Sequence, residues 1–176
     1  YQDVTDSSSY YEAVCYVTEK GLMNGTSAST FSPDAAMTRA MMVTILWRME
    51  KEPAALKSNF TDLTADWYRT AVDWAAETGV VNGVGNGKFA PNATLSLEQL
   101  ITILYRYAEN KGYNVSKSAS LDSFTDGSAV SAYARPAMQW AVGMNFLSGN
   151  TLTPGAPASR AQIAQVLMLF CKAYIK

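Results

Sequence analysis

One ordered set of local signatures occurs three times along this 176-residue chain, and that repetition constrains the fold more than any other property of the sequence. The copies open at Tyr1-Gln2-Asp3, Phe60-Thr61-Asp62 and Phe124-Thr125-Asp126: an aromatic residue, any residue, then aspartate. Each continues into Tyr10-Tyr11-Glu12-Ala13-Val14, Trp67-Tyr68-Arg69-Thr70-Ala71-Val72 or Tyr133-Ala134-Arg135-Pro136-Ala137-Met138. Apolar residues then recur at helical spacing, as in Ala71, Val72, Trp74 and Ala75 or Ala137, Met138, Trp140 and Ala141, which predicts a short amphipathic helix. Pro136 fits if the third of these helices begins there, because a first-turn proline loses no intrahelical bond.

Each predicted helix stops at a residue suited to left-handed backbone: Gly21, Gly79 and Asn145. Four residues on, Gly25, Gly83 and Gly149 imply a turn or a close backbone approach. A loop ends in Phe31-Ser32-Pro33, Phe89-Ala90-Pro91 or Leu152-Thr153-Pro154, with the apolar residue expected to plug the core. Thr38, Ser96 and Ser159 then stand where a helix N-cap belongs, and Gln99 and Gln162 stand where a capping box needs them. The helices that follow are apolar around most of their circumference, as in Leu100, Ile101, Ile103 and Leu104, and should be central.

No single helix pair of this kind can bury its own apolar face. The expected fold is therefore one all-α domain of three helix-loop-helix repeats, about 1–56, 57–120 and 121–176, in a pseudo-threefold arrangement around a central three-helix bundle. The segments 52–59 and 111–123 read as polar connectors within it. Because the first residues already lie inside a repeat, the chain is expected to be a piece of a larger polypeptide.

Composition then removes whole classes of function. Lys plus Arg number 14 against 15 acidic residues, so a net charge of -1 supplies no global field for nucleic acid or an anionic membrane. No apolar run approaches the roughly 18 to 20 residues that cross a bilayer. With no histidine and two cysteines, triad chemistry and zinc sites are excluded, and neither cofactor nor metal is expected. Cys15 and Cys171 either close the chain into one large disulfide loop or stay reduced; Asp73 and Gln139 at the positions matching Cys15 imply an exposed site.

The order aromatic-x-Asp, Trp-Tyr-x-x-Ala-Val, Gly-x-x-x-Gly, Phe-x-Pro and Thr-Arg-Ala, three times over almost the whole chain, resembles the surface-layer homology family. The resemblance implies a secreted bacterial protein held noncovalently at the cell surface by secondary cell-wall polysaccharide, often through pyruvylated sugar, in grooves between repeats. It implies that Arg39 and Arg160 grip an anionic sugar, aided by the amides at the helix N-terminus, while Leu97 leaves the second copy without a cation. Trp67 and Tyr133 are expected to stack on a sugar face. Asp3, Asp62 and Asp126 would accept hydrogen bonds from its hydroxyls, and Gly25, Gly83 and Gly149 would let it approach the backbone.

Each assignment has a structural counterpart. The arginines suit surface ion pairs, the aspartates suit helix caps or turns, and the glycines suit backbone requirements. Two other functions compete: a helical repeat that binds a protein partner, and a glycosidase using two carboxylates. Threefold recurrence argues against the second, because acid catalysis needs two carboxylates in unlike environments.

Overall fold

Six α-helices form where the periodicity places them: α1 (Tyr11–Glu19), α2 (Arg39–Met49), α3 (Asp66–Thr78), α4 (Leu97–Asn110), α5 (Arg135–Gly143) and α6 (Arg160–Tyr174). The computed structural model describes residues 1–175, and among these the protein is all-α, with only isolated bridge pairs of extended chain. Short 3-10 turns at Gly127–Ala129 and Ala132–Ala134 lead into α5, with Pro136 in its first turn. Left-handed residues end the amphipathic helices as expected: Gly21 at φ 68°, Gly79 at φ 72° and Asn145 at φ 61°. Thr38, Ser96 and Ser159 cap the apolar helices, each hydroxyl accepting a backbone N–H from three residues on. In the second copy the box closes reciprocally, with the Ser96 N–H donating to Gln99 Oε1 at 3.0 Å.

Compactness does not follow the sequence repeat. One unit is Met37–Leu95, the apolar helix of the first copy with the amphipathic helix and loop of the second; the other is Tyr1–Ala36 with Ser96–Lys176. In the first unit α2 packs on α3, burying Met42, Val43, Leu46, Ala71, Val72 and Ala75, with Phe89 fully enclosed. In the second, α6 packs on α1 and α4 on α5. Phe170 there lies against Trp140, Phe146, Tyr107, Tyr113 and Tyr174, at centroid separations of 5.0 to 6.3 Å. Such tilted and edge-on rings add to the stabilisation that burial alone provides.

The stagger has a hydrogen-bonding cause. A helix N-terminus leaves backbone donors without intrahelical partners. Here each apolar helix directs its first two N–H groups to carbonyls in a different copy's Phe-x-Pro loop. Arg39 and Ala40 donate to Ala93 and Pro91, both at 2.9 Å, within the first unit. Within the second, Leu97 and Glu98 donate to Ala156 and Pro154, and Arg160 and Ala161 donate to Ala35 and Pro33, at 2.8 to 3.0 Å. These amides were expected to attract a bound anion; the structure gives them to protein carbonyls instead.

Candidate functional site

The motif arginines extend the same helix-to-loop pairing. Arg39 lays its guanidinium over the Phe89 ring at 4.7 Å, donating from Nε to Phe89 O at 2.9 Å and from Nη2 to Asn82 O at 2.7 Å. Arg160 repeats this on Phe31, at 4.5 Å from the ring, 2.7 Å to Phe31 O and 2.6 Å to Asn24 O. Each planar fork thus ties together the two limbs of a loop, a task a point-like ammonium performs poorly. Among the described residues neither arginine is in an ion pair. Burial draws both guanidinium pKa values down, opposed by the charge of Asp62 beside Arg39 and by Tyr1 and Asp3 beside Arg160. Arg160 is 6% exposed, whereas Arg39 is half-buried.

Where the arginine is missing, its platform is missing too. Leu97 begins α4, and the loop that α4 meets carries Leu152 where the other two carry phenylalanine. The neighbouring position, alanine in the other copies (Ala40, Ala161), is Glu98, buried at 7% exposure. Its carboxylate accepts the Ser131 N–H at 2.9 Å and the Ser131 hydroxyl at 2.6 Å. The Tyr133 phenol lies near it, and burial followed by the Glu98 charge pushes the phenol pKa up. Sequence reasoning passed over Glu98. An acid in the first turn of an apolar helix, opposite alanine in both sister copies, was the signal.

The three aspartates serve their own loops. Asp3 accepts the N–H groups of Phe31 and Ser32, Asp62 those of Phe89 and Ala90, and Asp126 those of Leu152 and Thr153, with shortest contacts of 2.6 to 2.9 Å. The second residue of each pair holds left-handed backbone: Ser32 at φ 57°, Ala90 at φ 56° and Thr153 at φ 49°. A side chain there costs about 1 kcal/mol or more, and the carboxylate pins the residue in place. Donation from Phe31 chiefly lowers the Asp3 pKa, and donation from Leu152 chiefly lowers that of Asp126. At Asp62 burial raises it, but the Phe89 and Ala90 donors outweigh this and the net shift is downward. A general acid requires the opposite direction.

Gly25 and Gly83 are packing requirements: an added Cβ would lie 2.5 Å from the ring of Tyr1 or Phe60. Gly149 instead takes φ 108°. Trp67 and Tyr133 are open to solvent, each 54% exposed at the start of an amphipathic helix. Cys15 is exposed and Cys171 buried, and the two are not joined. Among the described residues no acidic or cysteine cluster could hold a metal ion, and no helix is long and apolar enough to cross a membrane.

The S-layer homology domain model matches residues 1–41, 59–101 and 123–164, and the chain belongs to that family. An endoglucanase of Bacillus sp. (strain KSM-635) is 31% identical over 174 residues, covering 95% of this chain and 18% of the enzyme. The surface-layer 125 kDa protein of Lysinibacillus sphaericus is 30% identical over 162 residues, covering 88% of this chain and 13% of that protein. A cellulosome-anchoring protein of Acetivibrio thermocellus is 26% identical over 120 residues, covering 65% of this chain and 27% of its own length. The chain therefore spans less than a fifth of the length of the first two relatives.

Proposed function

We propose that this chain is a noncatalytic anchor that holds a larger bacterial surface protein to the cell wall by binding secondary cell-wall polysaccharide, an acidic, pyruvylated one. The observation that carries this reading is the pair of exposed rings, Trp67 and Tyr133, at one repeated position at the start of an amphipathic helix. An exposed indole or phenol offers an apolar face to a sugar ring. At Arg39 two of the five guanidinium donors are engaged by carbonyls, which leaves capacity for a carboxylate. Arg160 fits the same role less openly, and the Leu97 copy has no cation at the matching position. The names of the relatives, a surface-layer protein and a cellulosome-anchoring protein, agree with a surface location.

The test is co-sedimentation with purified cell-wall sacculi, before and after removal of the polysaccharide and of its acidic substituents. Trp67→Ala and Tyr133→Ala are the informative variants, because these exposed rings contribute little to folding. Each should weaken binding several-fold with the melting temperature nearly unchanged. Sedimentation that persists after polysaccharide removal would sink the proposal.

A further inference from the structure

Helix positions 15 and 19, 73 and 77, and 139 and 143 are the same two places, one turn apart, on α1, α3 and α5. On α3 extended chain crosses both. Ser58 donates its backbone N–H (3.0 Å) and its hydroxyl (2.5 Å) to Asp73 Oδ1, and the Leu56 N–H donates to Glu77 Oε2 at 3.1 Å. On α5 the Ala119 N–H donates to Gln139 O at 3.0 Å, and a Cβ on Gly143 would stand 2.9 Å from the Ser118 nitrogen. The connector there runs so close that glycine is required beneath it.

On α1 the same two places, Cys15 and Glu19, are exposed and border a cavity of about 400 Å³, rimmed by Tyr1 and Tyr11 and floored by Val14. Thr18 also lines it, and its Oγ1 is buried with no hydrogen-bond partner. Glu19 matches Glu77, the acceptor for a connector N–H on α3. Two corresponding faces carry chain, and the third has the same acceptor, an unsatisfied hydroxyl and an open trough.

We propose that this cavity seats a short extended peptide of the connector kind, a backbone N–H and a serine hydroxyl directed at α1, supplied by the longer polypeptide to which these repeats are joined. In the relatives the matching region is 18% and 13% of the length, so those proteins carry further chain outside it. The inference does not depend on polysaccharide binding.

Cys15 reports occupancy directly. Residues 53–59 are fused ahead of Tyr1, so that the copy of Ser58 stands two residues before Tyr1 as Ser58 stands before Phe60. Iodoacetamide labelling of Cys15 is then followed by peptide mapping. Cys171 serves as the internal control, since its thiol is buried and pushed up to about 11. The fused protein should label at Cys15 on the order of tenfold more slowly than the 176-residue chain, with much of that protection lost when the copied serine is replaced by alanine. Equal labelling of all forms, equal protection by a scrambled extension, or protection obtained only on adding a neutral oligosaccharide would each overturn it.

Discussion

Arg39 and Arg160 act on their surroundings before they can act on any ligand. Removing either guanidinium strands two loop carbonyls and uncovers a phenylalanine ring. Arg39→Ala is therefore expected to lower the unfolding free energy by about 2–3 kcal/mol in urea titrations, and Arg39→Lys to recover only part of it. Loss of wall binding in such a variant counts only after its folding has been measured. The aspartates predict a pH dependence of definite sign. Their folded pKa values lie below the ordinary 3.8, so their contribution is complete above that value and disappears as pH falls through the lowered one. The melting temperature should drop as pH is taken from about 5 to about 3, and replacing all three by asparagine should flatten that slope. The aromatic-x-Asp signature was readable from residues alone, but its partner was not, because 28 residues separate Asp3 from Phe31.

Among the elements, the loop residue after Phe31, Phe89 or Leu152 carries backbone strain in all three copies. Ala90→Gly should raise stability by up to about 1 kcal/mol, since glycine accepts φ 56° without a Cβ penalty. Gly83→Ala should do the reverse by more, because its Cβ would meet both the Phe60 ring and the Lys88 carbonyl. Calorimetry on the two variants checks the opposed signs. Helix positions, caps and left-handed stops were legible because each rests on neighbours within a few residues, as at Ser96 with Gln99 and at Asn145. The role of the helix N-termini was not. Their amides face carbonyls in another copy, and sequence pattern names a donor without naming its acceptor. Glu98 was hidden for the same reason, its partner Ser131 lying 33 positions away.

Across the molecule, the sequence repeat and the compact unit are half a copy out of step. A fragment spanning 37–95 keeps α2, α3 and the Arg39 fork together, whereas one spanning 57–115 parts α3 from α2 and leaves α4 without its loop. Circular dichroism should show the first fragment clearly more helical than the second at equal length. Both are small enough to be marginal, so the ordering and not the absolute helicity is the observable. The tie between Arg160 and Phe31 spans 129 residues and reaches from the last copy to the first. A chain emerging from a ribosome or an export channel has only water to donate to the Asn24 and Phe31 carbonyls until its final helix is clear, and contacts so distant form slowly. The opening stretch must wait, unfinished, for the closing one.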